Sequence, residues 1–134
     1  MGMRPAALPM VLAALVLPVA AEVEQAESIL GEWQQIATNA GACPTCRIAF
    51  RTGDRGIVVS ANNGWTATLA RTGPTDLMGD GRWDLQGRGW PTGRAFTIRF
   101  RQDGDRLVMT MVVDTGSGQW PTVHATYVRP WQGV

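Results

Sequence analysis

Cys43-Pro44-Thr45-Cys46 is the segment whose residue types and spacing come nearest to chemistry. Two thiols this close can form a local disulfide, a redox couple or half of a metal site. A redox couple needs the pair at the start of a helix, whose terminus lowers the thiol pKa. Here Arg47-Ile48-Ala49-Phe50-Arg51 follows, and it alternates as a strand does. A metal site needs further ligands, and His124 is the single histidine. The expectation is therefore a Cys43–Cys46 disulfide formed in an oxidising compartment, pinning a turn more than stabilising the whole fold. His124 has no Asp, Ser or Cys near it in sequence. Asp76, Asp80 and Asp84 lie close together, but Gly79, Gly81 and their spacing do not match a calcium loop, so a turn role is expected. No catalytic residue, metal or cofactor is expected, and the chain is read as a non-enzyme.

The six tryptophans carry more information. Trp65 and Trp83 lie on strand-like runs with inward parity. Trp90 and Trp120 each open a Trp-Pro-Thr triplet, at 90–92 and 120–122, in connections between strands. Flat aromatic surfaces at the end of a β-fold either cover its core or stack on a ligand. Trp65, Trp83, Trp90 and Trp120 are the candidate ligand-binding set, and the loop 115–120, flexible in composition, is suited to gate such a mouth. Trp131 falls in the tail.

These residues need elements to hold them, and the elements are strands. Phe96, Ile98 and Phe100 alternate with Thr97, Arg99 and Arg101. After Asp103-Gly104, Leu107, Met109, Met111 and Val113 alternate with Val108, Thr110 and Val112. Asp-Gly is a strong two-residue hairpin signal, and a type I′ turn there pairs Gln102 with Asp105. Phe100 then faces Leu107, Ile98 faces Met109, and Phe96 faces Met111, all on one side of the sheet. Weaker runs read the same way: Gly31–Ala37, Thr45–Arg51, Gly56–Ser60, Trp65–Ala70 and Thr122–Arg129. In another, Trp83 and Leu85 share a face after a loop containing Gly79, Asp80 and Gly81. That makes eight short strands with turn signals about every ten residues, and no helical period after residue 30. An eight-stranded antiparallel up-and-down β-barrel accounts for this, because closure removes the exposed edges. A Greek-key sandwich is the rival. So many bulky inward residues leave an eight-stranded barrel filled or with a small pocket, not a capacious one.

Residues 1–21 read as a signal peptide, with Arg4, an apolar stretch from Ala6 to Pro18 and small residues at Val19-Ala20-Ala21. The apolar stretch is too short for a transmembrane helix, so no membrane span is expected after its removal. No cysteine follows it for a lipid anchor. Residues 22–30 form an acidic arm or short helix, and residues 31–134 the barrel domain. Of the 12 basic and 11 acidic residues only Arg4 falls in the leader, so the mature domain is formally neutral. A neutral domain has no electrostatic reason to seek nucleic acid. The expected location is periplasmic or secreted.

Gly31-Glu32-Trp33 at the start of the first strand, with Arg129 at the end of the last, resembles the calycin group. That group comprises lipocalins, fatty-acid-binding proteins, avidins and bacterial metalloprotease inhibitors. The resemblance implies that Trp33 and Arg129 close one end of the barrel, the guanidinium stacking on the indole and reaching backbone carbonyls. Ser28-Ile29-Leu30-Gly31-Glu32-Trp33 is especially similar to the start of the bacterial protease inhibitors, whose single disulfide spans a longer loop than Cys43–Cys46. Two functions follow as expectations. One is a lipocalin-like binding protein for a small apolar or aromatic ligand. The other is an inhibitor of a secreted or periplasmic hydrolase, acting through the arm 22–30.

Overall fold

In a computed structural model, the described residues are Gly2, 29–86 and 89–131. Apart from Gly2, the expected signal segment 1–21 lies outside them, as does most of the arm, residues 22–28. Eight strands follow in order: β1 (Gly31–Thr38), β2 (Arg47–Gly53), β3 (Gly56–Ala61), β4 (Trp65–Arg71), β5 (Asp76–Trp83), β6 (Ala95–Asp103), β7 (Arg106–Val113) and β8 (Thr122–Val128). Each pairs antiparallel with the next, and β8 pairs back onto β1 to close an up-and-down barrel. The sandwich alternative is thereby excluded. Because strand side chains alternate, one face of every strand points into the cylinder. Trp33, Ile48, Phe50, Val59, Trp65, Ala67, Leu69, Phe96, Ile98, Phe100, Leu107, Met109, Met111, Ala125 and Tyr127 are buried there. Phe50 meets Phe100 edge-on at 5.0 Å between centroids, and Trp65 meets Phe96 the same way at 5.6 Å.

The β6–β7 hairpin differs from the expected register by one residue at the turn. Asp103 pairs with Arg106, so Phe100 faces Met109, Ile98 faces Met111, and Phe96 faces Val113. The turn residues are Gly104 and Asp105. Gly104 has φ +61°, and among the described residues no non-glycine has positive φ. A type I′ turn at Asp103-Gly104 would force an aspartate into that region, whereas a II′-like turn with glycine first strains nothing. Moving the turn by one residue shifts every cross-strand partner by two, so each side chain keeps its face.

The run around Gly79 is corrected more substantially. Gly79, Asp80 and Gly81 are not a loop but the middle of β5, and Leu85, expected to face inward with Trp83, is 81% exposed beyond the strand end. The glycines sit on the inward face, Gly79 between Leu69 and Ile98, Gly81 between Ala67 and Phe96. A Cβ on Gly79 would strike the Thr68 carbonyl, and one on Gly81 would strike the Phe96 ring and the Thr66 carbonyl. Glycine lets the Phe96 ring lie across the backbone of β5. Asp76 is likewise not a turn residue. It starts β5 and accepts from Arg99 at 3.0 Å and Arg101 at 3.2 Å on the outer face of β6. The Arg99 hydrogen bond, with help from Arg101, holds its carboxyl below the usual range.

Trp33 and Arg129 meet at one end. The guanidinium lies 4.0 Å from the centre of the indole and donates to the carbonyls of Leu30 (3.0 Å) and Glu32 (3.1 Å). Trp33 Nε1 donates to the Ile29 carbonyl at 2.8 Å, and Ile29 is itself buried in the core. Trp131 approaches the same guanidinium at 5.8 Å.

Two outcomes test this account. Gly81→Ala is expected to lower stability by roughly 1–3 kcal/mol through overpacking against Phe96, read from the urea midpoint. Arg129→Ala is expected to lower it by about 2 kcal/mol, from the lost indole contact and the carbonyls it leaves unpaired. Arg129→Lys, which cannot reproduce the fork, should recover only part of that in the same assay.

Candidate functional site

The two ends of the barrel are built differently. At the Trp33 end the hairpin connections are short: 54–55, 72–75 and 104–105. At the opposite end they are mostly long: 39–46, 62–64, 84–94 and 114–121. Long connections splay away from the axis, and a cavity of about 120 Å³ opens between them into the barrel. Other depressions, such as the one between Gln35 and Pro44 that adjoins it along Gln35, Thr38, Gly41 and Cys43, are more open to solvent.

Each wall of the cavity comes from an identifiable strand or loop. Trp65 opens β4 and Trp83 closes β5; they pair directly across the ladder, with ring centroids 6.5 Å apart. Trp90-Pro91 reaches over from the 84–94 connection, and Trp90 stays 55% exposed. That connection is tied down by backbone hydrogen bonds, Trp83 N–H to the Arg94 carbonyl at 2.9 Å and Gly93 N–H to the Asp84 carbonyl at 3.2 Å. Met109 and Met111 of β7 form the apolar floor with Val123. Gln35 and Tyr127, on neighbouring strands β1 and β8, complete it; the Tyr127 hydroxyl donates to Gln35 Oε1 at 3.3 Å.

The disulfide belongs to this rim. Cys43 and Cys46 are bridged, with Cα atoms 5.3 Å apart, and Cys43 lines the cavity. Gln34 holds the loop from outside the barrel: its Nε2 donates to the carbonyls of Pro44 (2.9 Å) and Cys46 (3.1 Å), while Arg47 Nε donates to its Oε1 at 2.9 Å. A single buried amide thus fixes the wall that the two cysteines shape.

Of the four expected ligand-binding tryptophans, the structure brings Trp65, Trp83 and Trp90 together and leaves Trp120 outside. Trp120 is 56% exposed and does not line the cavity. Counting back from β8, it has the parity of exposed Thr122 and His124, whereas Val123, Ala125 and Tyr127 point inward. Its loop is folded on itself, Gly116 N–H donating to Asp114 Oδ1 and Thr115 Oγ1 to the Gln119 carbonyl. Sequence reasoning did not find Gln35. The available signal was a polar residue sharing the inward parity of Trp33. His124 lies on the outer face, and among the described residues no three His, Cys, Asp or Glu side chains cluster as a metal site.

Two buried polar atoms have no partner among the described residues, Trp83 Nε1 and Thr92 Oγ1, and both lie at this end. Among the described residues the cavity wall carries no Asp, Glu, Arg or His. Burial pushes the Tyr127 pKa well above its ordinary 10.0.

Fold and cavity together define an eight-stranded up-and-down barrel, clasped at one end and recessed at the other. No protein-family model matches the chain, and no curated protein matches it significantly.

Tyr127 is the single tyrosine of the chain, which makes its titration directly readable. The unfolded chain releases this proton near 10.0, and the folded barrel only at higher pH. The corresponding stability is complete below the unfolded value and is lost as pH rises toward the folded one. Near-ultraviolet absorbance is expected to show no tyrosinate as pH passes 10.0, and then to show it together with alkaline unfolding. A separate tyrosinate transition in the native protein near 10.0 would contradict the buried hydroxyl.

Proposed function

We propose that this protein is an exported, non-catalytic, calycin-like barrel that binds a small apolar or aromatic ligand at its mouth. The observation that carries the reading is the cavity between Trp65, Trp83 and Trp90, floored by Met109 and Met111. Aromatic and thioether walls around a recess are what small apolar ligands need, and an apolar cavity of roughly 150 Å³ is enough for benzene. The filled half of the barrel toward Trp33 argues against long-chain lipids. The Cys43–Cys46 bridge supports an oxidising, periplasmic or secreted setting.

The test is calorimetric titration with ethylbenzene, together with thermal unfolding in its presence. Saturable one-to-one binding is expected. Val123→Phe, which fills the recess from β8, should weaken it by at least about tenfold, equivalent to ~1.4 kcal/mol. Trp120→Ala should leave it unchanged. Truncation of the mature arm through Ser28 should also leave it unchanged. The truncation must stop there, because Ile29 is core and its carbonyl holds Trp33 Nε1. No saturable binding by the intact protein, with inhibition of a secreted hydrolase that the truncation abolishes, would replace this reading with the inhibitor one.

A further inference from the structure

We infer that the mouth cavity selects an uncharged, single-ring-sized molecule bearing one hydrogen-bond acceptor, such as an aryl ketone, and that Gln35 Nε2 donates to that acceptor. This inference rests on the ligand-binding reading above and narrows it. Three observations carry it.

The first is the absence of charge. Among the described residues no Asp, Glu, Arg or His side chain lines the cavity, and its one phenol is held neutral by burial. A carboxylate or ammonium brought into such a recess loses its hydration without gaining a counter-charge, which costs far more than an apolar contact returns. Fatty acids and aromatic acids are thereby disfavoured on chemistry as well as on size.

The second is the state of the polar pair. Tyr127 and Gln35 stand side by side on β8 and β1. The Tyr127 hydroxyl donates to Gln35 Oε1 at 3.3 Å, with Met109 Sδ at 3.9 Å as the more distant acceptor, and so orients the amide. The donor half, Nε2, has no protein partner among the described residues, and Gln35 lines the cavity. An amide already oriented by a buried neighbour presents its N–H groups at low entropic cost. Across the barrel on β5, Trp83 also lines the recess, and its buried Nε1 has no partner among the described residues. Gln35 Nε2 is thus a donor at the recess, and a ligand acceptor answers it.

The third is size. A recess of about 120 Å³ lined by Trp65 and Trp83 is on the scale of a single ring, so any substituent must extend toward the open mouth.

The test compares three ligands of similar shape by calorimetry at constant pH and salt: acetophenone, ethylbenzene and benzoate. Acetophenone should bind about tenfold more tightly than ethylbenzene, the worth of one hydrogen bond to a buried neutral donor. Benzoate should bind at least about tenfold more weakly than acetophenone. In Gln35→Glu, which keeps the acceptor for Tyr127 and removes the donor, the preference for acetophenone over ethylbenzene should disappear. Equal affinities for acetophenone and ethylbenzene, or benzoate binding as well as acetophenone, would overturn the inference and leave the ligand-binding reading standing. Failure of all three ligands to bind would overturn both. The comparison within the unmodified protein decides the question even where Gln35→Glu does not fold.

Discussion

Closure of the hydrogen-bond ladder is the constraint on which the rest of the structure depends. Once β8 pairs with β1, no edge remains, and every inward side chain must share one cylinder of fixed volume. A large residue on one strand therefore has to be matched by a small one on another. Phe96 fits because Gly81 on the neighbouring strand gives up its side chain. The same accounting leaves the middle filled by Phe50, Phe100, Leu69 and Leu107. What space is left over collects where the connections are long enough to splay.

The two ends then solve opposite problems. At the Trp33 end, short turns leave the large indole to be covered, and the covering group is charged. Arg129 works there because its planar fork stacks on the ring and still reaches the carbonyls of Leu30 and Glu32. At the mouth no such clasp spans the opening. Its walls are held from outside, by Gln34 on the disulfide loop and by backbone hydrogen bonds within 84–94. Support from outside leaves a recess beside Trp65, Trp83 and Cys43.

Parity was legible in the sequence, and register was not. Alternation assigns each side chain to a face from local pattern alone, and it placed Phe96, Ile98, Phe100, Met109 and Met111 inside. The register of the β6–β7 hairpin turned on which residue takes positive φ, a competition between Asp103 and Gly104 that Asp-Gly as a motif does not resolve. β5 was misread for a related reason. Glycine is a turn former in isolation, and Gly79 and Gly81 are strand residues only because other strands press against them. Nothing local records that pressure. The Trp33–Arg129 pair followed from the resemblance of Gly31-Glu32-Trp33 and Arg129 to the calycin pattern, since alternation alone says nothing of which residues meet at a barrel end.

The candidate site was half legible for the same physical reason. Trp65 and Trp83 lie on strands, so their direction followed from alternation. Trp90 and Trp120 lie in connections, where no period fixes direction, and identical Trp-Pro-Thr triplets come out differently. Trp90 is carried over the recess by a connection tied to β5, while Trp120 runs into β8 on the outward parity. Gln35 was passed over because polar residues are expected outside. Inside a closed barrel a polar side chain persists only when a neighbour satisfies part of it, and Tyr127 does so for one half of the amide. At the mouth, the inward Gln35, half satisfied and half open, marks where the filled core ends and the recess begins.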